Sequence, residues 1–123
     1  MQNDNEKFKV EFKKRLYNFV LKLITYINGL DRNPSNDVIC KQLLRSGTSI
    51  IANYIEAGAA SSKKDFTNFF SYSLKSANES KVWLALLRDT NDKEKATNKW
   101  LLQELIEIAN ILASSILTLK GKK

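Results

Sequence analysis

The chain has 123 residues, with 20 lysines and arginines against 13 aspartates and glutamates, which gives a formal net charge of +7. It contains no histidine and a single cysteine, Cys40, which excludes a Ser-His-Asp triad, a His-ligated zinc site and an intramolecular disulfide. Its four glycines and one proline leave little material for the turns of a β-sandwich. Composition therefore predicts one basic, all-α domain over residues 1–123 that binds or assembles rather than catalyses.

Four stretches of the sequence show the three- and four-residue spacing of apolar side chains that is typical of amphipathic helices. Short breaks separate them: Gly29 ends the first stretch, Pro34 disfavours helix at the residue before it, and Ser62 resembles a capping residue for the third. Because helices of similar length joined by short loops pack antiparallel to their neighbours, the pattern predicts an up-down-up-down four-helix bundle. The predicted helices cover about residues 6–28, 35–57, 62–89 and 93–119, and a basic tail follows at 120–123.

A row of polar side chains adjoins the apolar stripe of the second helix, so its charged members are expected to be partly buried. On the third helix, Glu79 lies among apolar neighbours, and a buried carboxylate without a donor is costly. We therefore predict an internal hydrogen-bonded network that fixes the register of the helices, with a functional polar site as the alternative. Its predicted members are Arg45, Ser49, Asn53, Glu56 and Glu79.

The sequence contains no pattern that indicates catalysis. A di-iron site in a helical bundle needs Glu-x-x-His pairs, whereas Glu104 and Glu107 form only a Glu-x-x-Glu pair. The chain also lacks both glycine-rich patterns that cradle phosphates. We predict that the protein is not an enzyme and uses no metal and no cofactor.

The apolar run of the first helix does not indicate targeting to a membrane. Lys22 interrupts this run, and the segment before it carries Asp4, Glu6 and Glu11, which is unlike a signal peptide or a membrane span. We therefore expect a cytoplasmic protein with no membrane partner and a reduced Cys40.

Positive charge is concentrated on the first and third helices, where rows of basic side chains could neutralise phosphates. The alternative is a lysine-rich surface that is merely solvated. Because lysines outnumber arginines 16 to 4, the composition does not favour the reading of base edges, for which arginine is the usual residue. The candidate nucleic-acid-binding residues are Lys7, Lys14, Arg15 and Lys22 in one row, and Lys64 and Lys75 in another.

Three of the predicted helices carry more apolar surface than one bundle core requires. Excess apolar surface of this kind is typical of an interface between copies of a chain, so we predict a homo-oligomer. This excess forms a second apolar stripe on each of these helices: Val10, Tyr17, Leu21 and Ile24 on the first helix, Ile39 and Ile50 on the second, and Ile106, Ala113 and Leu117 on the fourth.

Gly47, inside the second helix, indicates a close crossing or a bulky neighbour such as Trp83.

Three segments together resemble a known family: residues 42–58 (QLLRSGTSIIANYIEAG), 64–70 (KDFTNFF) and 77–87 (ANESKVWLALL). They are similar to the bacterial four-helix-bundle proteins first noticed as reading frames in intervening sequences of large-subunit ribosomal RNA genes. Arg45, Asn53, Glu56 and Glu79 stand at positions shared by that family, none of them catalytic. Val82 departs from the family, which often has an aromatic residue beside the tryptophan, and the departure concerns packing only.

The resemblance implies a four-helix protomer that assembles into a homopentameric ring. It also implies kinship with the accessory protein of diversity-generating retroelements, a basic ring that binds a reverse transcriptase and nucleic acid. We therefore expect a non-enzymatic, homo-oligomeric basic protein that binds RNA or DNA, or that is a scaffold for a nucleic-acid-processing partner such as a reverse transcriptase. The alternative is a protein-only adaptor.

Overall fold

The computed structural model describes residues 4–121, which form four α-helices and no strand. The all-α fold class is therefore confirmed, and the predicted helix limits differ from those of the structure by no more than two residues. Part of the predicted basic tail, residues 122–123, lies outside the described residues. The helices are α1 (Asp4–Gly29), α2 (Pro34–Gly58), α3 (Lys63–Thr90) and α4 (Lys95–Leu119).

Local side-chain contacts explain where two of the helices begin. Before α2, the side chain of Asn33 accepts a hydrogen bond from the backbone N–H of Asn36 at 2.8 Å, and Pro34 occupies the first helical position. Before α3, the hydroxyl of Ser62 accepts from the backbone N–H of Asp65 at 3.1 Å, as the capping pattern predicts. These polar caps satisfy N–H groups that would otherwise lack partners in the first turn.

Each helix packs against two others: α1 and α3 both contact α2 and α4, and the contact between α2 and α3 is the most extensive. The core lies along the centre of this arrangement and consists mainly of leucine, isoleucine and phenylalanine. Burial of each of these side chains contributes about 1.5–3 kcal/mol to folding, so the core is the main source of stability. Its fully buried members include Leu16, Phe19, Leu23, Leu43, Ile50, Leu84, Leu87, Leu101, Leu105, Ile108 and Leu112.

Gly47 makes room for a residue of α1. A Cβ atom placed on Gly47 would lie 2.3 Å from Cδ2 of Leu23, which is a clash. The close neighbour is therefore Leu23, and the expectation that Gly47 accommodates Trp83 is wrong. The reason is that Gly47 faces α1, whereas Trp83 contributes its indole N–H to a contact at the opposite edge of α2.

The fourth helix is both the most apolar and a core element. By length and composition alone, α4 is long and apolar enough to cross a membrane. The core helix of a soluble protein passes the same test. In this structure one side of α4 supplies Leu101, Leu105, Ile108 and Leu112 to the core, and all four are fully buried.

Candidate functional site

Small side chains bring α2 and α3 close together. The hydroxyls of Ser46 and Ser80 lie 2.7 Å apart, and Ser73 donates a hydrogen bond to the backbone carbonyl of Ile50 at 2.8 Å. Ser46, Ser73, Ser80 and Ala77 are all fully buried. Because the three serine hydroxyls are hydrogen-bonded, burying them does not leave a polar atom without a partner. The row holds the two backbones at short range, and the predicted polar residues lie along its edge.

At this edge, Arg45 of α2 forms an ion pair with Glu79 of α3. The same carboxylate accepts a hydrogen bond from the indole N–H of Trp83 at 2.9 Å, and Arg45 also donates to the side chain of Gln42 at 3.0 Å. The pair is not internal, since 56% of the Arg45 side chain and 33% of the Glu79 side chain remain exposed. The charged part of the predicted network therefore lies on the surface along the α2–α3 seam.

The remaining predicted members divide into two groups. Asn53 donates to the backbone carbonyl and to the hydroxyl of Ser49, each at 2.9 Å, and Ser76 donates to the same hydroxyl at 3.0 Å. Glu56 is exposed, and no hydrogen bond or ion pair of its side chain joins it to this network within residues 4–121. Placing Glu56 in an internal network was therefore wrong: it lies at the solvent side of the row, where α3 offers it no donor.

Five of the six candidate nucleic-acid-binding residues are exposed. Lys22 lies over the ring of Trp100, with its Nζ 4.6 Å from the ring centroid. The two rows do not form one surface, because α1 and α3 do not pack against each other. The exposed residues are Lys7, Lys14, Lys22, Lys64 and Lys75.

Arg15 differs from the other five candidates because it is engaged with α4. Its guanidinium donates to both carboxylate oxygens of Glu104, at 2.8 and 2.7 Å, and to Glu107 at 3.0 Å. The hydrogen bonds that Arg15 donates to Glu104 raise the pKa of Arg15 above its ordinary value, so the group remains charged. Arg15 thus joins two helices, and a phosphate would have to displace two carboxylates to reach it.

All four arginines of the chain are in ion pairs with carboxylates. The other pairs are Arg32 with Asp37, Arg45 with Glu79, and Arg88 with Asp89. Of the lysines within the described part of the chain, only Lys93 is in an ion pair, with Asp31. The basic side chains of the described residues that form no ion pair are therefore all lysines. The sequence did not reveal this pattern in full, because the pairs of Arg15 and Arg45 join two helices.

The second apolar stripe on α1 is exposed. Val10, Tyr17, Leu21 and Ile24 are between 38% and 57% exposed and lie on the side of α1 that faces away from the core residues Leu16 and Leu23. On α4, Ile106 and Leu117 are exposed and Ala113 is half-buried. On α2, Ile39 is half-buried, but Ile50 is fully buried, so assigning Ile50 to a second stripe was wrong. Ile50 faces α3, where its carbonyl accepts from Ser73.

Two features were missed in the sequence. Tyr26 is fully buried, and its hydroxyl accepts a hydrogen bond at 2.8 Å from Asn98, which also donates to the carbonyl of Leu84 at 2.9 Å. The second feature is a groove at one end of the bundle, lined by Phe8, Tyr54 and other aromatic residues. Both depend on residues far apart in the sequence, and the only signal was the cluster of aromatic residues near the helix ends.

The described residues contain no group of three or more cysteine, aspartate and glutamate side chains placed to hold a metal ion. The Arg45–Glu79 and Arg15–Glu104 contacts are ion pairs between helices, so the packing of the helices explains why these charged side chains lie together.

Comparison with known proteins identifies the family. The family model for 23S rRNA-intervening sequence proteins matches residues 9–114. A crystal structure of a protein of unknown function from the S23 ribosomal protein family of Bacteroides thetaiotaomicron is 35% identical in sequence, with a TM-score of 0.78. The match covers 85% of this chain and 97% of that one. No curated protein matches the chain. The resemblance seen in the sequence is therefore confirmed, and the chain belongs to the 23S rRNA-intervening sequence protein family.

Proposed function

We propose that this protein is a non-enzymatic, cytoplasmic scaffold that assembles into a homopentameric ring and binds nucleic acid through phosphate contacts. The observation that carries the proposal is the exposed apolar stripe on α1, which lies opposite the core and has exposed Lys7 and Lys14 on the same helix. An apolar row of this kind is unfavourable in water unless another surface covers it. The exposed lysines would then remain at the rim of the covered surface, where they can meet a polyanion.

The protomer of this proposed ring is an up-down-up-down bundle. Three contacts between α1 and α4 support an antiparallel pair: Arg15 with Glu104, Lys22 with Trp100, and Tyr26 with Asn98. Residue numbers rise along α1 as they fall along α4. The α2–α3 contacts follow the same order, since Ser46 lies against Ser80 and Ser49 lies against Ser76.

The chemistry of the free cations favours binding without sequence preference. Arginine is the residue that reads guanine edges, and all four arginines are held by carboxylates. Lysine binds phosphate as a point charge and releases counterions when it does so. Five copies at +7 would carry +35, which gives a ring that attracts RNA or DNA strongly at low salt.

The assembly is tested by replacing one residue of the α1 stripe. Leu21→Glu should convert the oligomer to monomers in light scattering at micromolar concentration, because the new charge would be buried at the interface. Val38→Glu is the control, since Val38 is 64% exposed but lies on α2 outside the stripe. A wild-type protein that is monomeric, or two variants that behave alike, would contradict the ring.

Nucleic-acid binding is tested by a salt series with single-stranded and double-stranded RNA and DNA. The affinity should fall steeply with salt and should differ little between sequences. A variant with Lys7, Lys14 and Lys22 changed to glutamine should lose affinity and show a smaller salt slope. Lys93→Gln is the control, since Lys93 is already paired with Asp31. Absence of binding even at low salt would refute this part of the proposal.

A second candidate function is a protein-only adaptor, and the surface of α3 favours it. Tyr72, Val82 and Leu86 are exposed apolar residues beside the Glu79–Trp83 contact, on a helix distant from the α1 stripe. Such a surface could bind a partner polypeptide, for example a reverse transcriptase, while α1 forms the ring. Retention of the oligomer together with no affinity for nucleic acid would favour this alternative.

A further inference from the structure

An open apolar groove of about 840 Å³ lies at the end of the bundle where α1 and α3 begin and α2 and α4 end. Phe8 and Val10 line it on α1, and Ile111 and Leu119 line it on α4. On the side of the bundle core, Tyr54, Phe66 and Phe70 also line it. At the opposite end α1 and α4 are joined by polar contacts, so the groove is a local feature of one end.

The aromatic side chains form a continuous surface along the groove. The ring centroids of Tyr54 and Phe70 are 5.6 Å apart, and those of Phe66 and Phe70 are 4.8 Å apart in a stacked arrangement. Phe12 contacts Tyr54 edge-on at 5.1 Å and joins this cluster to the core. These contacts fix the rings, so the surface is preformed and would bind an aliphatic chain without a large cost in side-chain entropy.

The charged groups of the groove are all positive, and its other polar groups are neutral amide and hydroxyl side chains. Lys9 and Lys13, one turn apart on α1, are the charged residues that line it, and no carboxylate does. The Tyr54 hydroxyl forms no hydrogen bond within the described residues, and the side chain is half-buried. Burial raises the pKa of Tyr54, so its hydroxyl remains a neutral donor at physiological pH. A groove of this volume, mostly apolar with a few donors, is typical of a small-molecule site.

We propose that this groove binds an amphipathic carboxylate, namely a fatty acid. The aliphatic chain would lie along Tyr54, Phe66 and Phe70, and the carboxylate would pair with Lys9 and Lys13. The excess of positive over negative groups in the lining selects an anion, because an apolar molecule gains nothing from the lysines and a cation is repelled by them. The groove and the α1 stripe share only one residue, Val10, so the two surfaces are almost entirely separate.

The test is calorimetric titration of the full chain with decanoate below its micelle concentration. We expect saturable binding of one decanoate per chain. Decyltrimethylammonium, with the same chain length and the opposite charge, should bind at least tenfold more weakly. The double variant Lys9→Gln/Lys13→Gln should lose about tenfold in decanoate affinity. Lys7→Gln/Lys14→Gln is the matched control, because it removes the same charge from the same helix outside the groove, and it should bind as the wild type does.

The position of the ligand is tested by methyl chemical shifts. Decanoate should shift the methyl signals of Ile55 and Ile111, which line the groove, and leave those of Leu84 in the distant core unchanged. Three results would overturn the proposal. The first is the absence of saturable binding, which includes the case in which a second copy of the chain covers the groove. The others are equal affinity for the cationic detergent and equal losses of decanoate affinity in the two double variants. Nucleic-acid binding is measured separately, so failure of either proposal leaves the other intact.

Discussion

Arg15 of α1 and Glu104 of α4 form a bidentate ion pair, in which Nε and Nη2 lie 2.8 and 2.7 Å from the two carboxylate oxygens. The parallel geometry is the strongest form of contact between these two groups. It is also partly shielded from water, since the Glu104 side chain is only 14% exposed. The pair therefore fixes the position of α1 against α4 at the middle of both helices.

Removal of this pair should destabilise the fold. We expect Glu104→Ala to lower the free energy of unfolding by about 1–2 kcal/mol, because it leaves a partly buried guanidinium with one carboxylate only. Urea unfolding followed by circular dichroism measures the change. Glu107→Ala is the control, since the Glu107 side chain is 52% exposed and should cost less than about 0.5 kcal/mol. Equal losses would mean that the bidentate geometry contributes nothing.

Gly47→Ala should destabilise the protein, although alanine is the better helix former. The substitution gains about 1 kcal/mol in helix propensity, but its Cβ would lie 2.3 Å from Leu23, which is fully buried and cannot move freely. Overpacking of this kind costs about 1–3 kcal/mol, so we expect a net loss of about 1 kcal/mol.

Gly58→Ala is the matched control for this prediction. Nothing lies within 4 Å of a Cβ atom placed there, so the same substitution should stabilise the protein by about 0.5 kcal/mol. Thermal unfolding of both variants should therefore show midpoints that move in opposite directions. A gain at both positions would mean that Leu23 adopts another rotamer at no cost.

Stability should fall as the pH rises above about 9. Burial raises the pKa values of Cys40, Tyr26 and Tyr54 above the values they have in the unfolded chain. Below the pKa that it has in the unfolded chain, each group makes its full contribution to the free energy of unfolding. Between the unfolded and folded pKa values the native state holds more protons than the unfolded state. The contribution is therefore lost as the pH rises through the folded pKa. Urea unfolding at pH 7, 9, 10 and 11 measures this decline.

Tyr54→Phe isolates one of these groups. The hydroxyl of Tyr54 forms no hydrogen bond within residues 4–121, so the variant should differ little from the wild type at pH 7. Above pH 10 it should lose stability less steeply, with the difference limited to about 1.4 kcal/mol per pH unit. A decline as steep as that of the wild type would exclude Tyr54 as a contributor.

The α2–α3 seam is tested at Glu79. Glu79→Ala removes the acceptor of both Arg45 and Trp83, and we expect a loss of about 1 kcal/mol because the pair is part-exposed. In a Trp100→Phe background, the fluorescence of Trp83 should shift to longer wavelength as its N–H turns to water. Lys14→Ala, an exposed control on α1, should change stability by less than about 0.5 kcal/mol and leave the emission unchanged.

The sequence was sufficient for features that depend on a single helix. Apolar spacing predicted the helix limits, the Ser62 pattern predicted the start of α3, and periodicity placed Tyr17 and Leu21 on a second apolar side of α1. These predictions succeed because side-chain direction follows from the 3.6-residue turn alone.

Apart from the network that contains Arg45 and Glu79, the features that join two helices could not be predicted, because they depend on how each helix is rotated about its axis. Arg15 and Glu104 are 89 positions apart, and nothing in either segment indicates that they meet. The rotation of α2 likewise decides that Gly47 faces Leu23 and that Glu56 faces water. Arg45 lies on the same side of α2 as Glu56, but its side chain is long enough to reach Glu79 on α3.

Arginines and lysines have different surroundings in this protein, and the difference has a chemical consequence. The arginines hold carboxylates, whereas the exposed charge is carried by lysines whose amines accept acetyl groups. Acetylation of those amines would remove most of the positive charge and leave every arginine pair in place. The affinity proposed for polyanions would therefore be lowered by a modification that leaves the Arg15–Glu104 and Arg45–Glu79 pairs between helices intact.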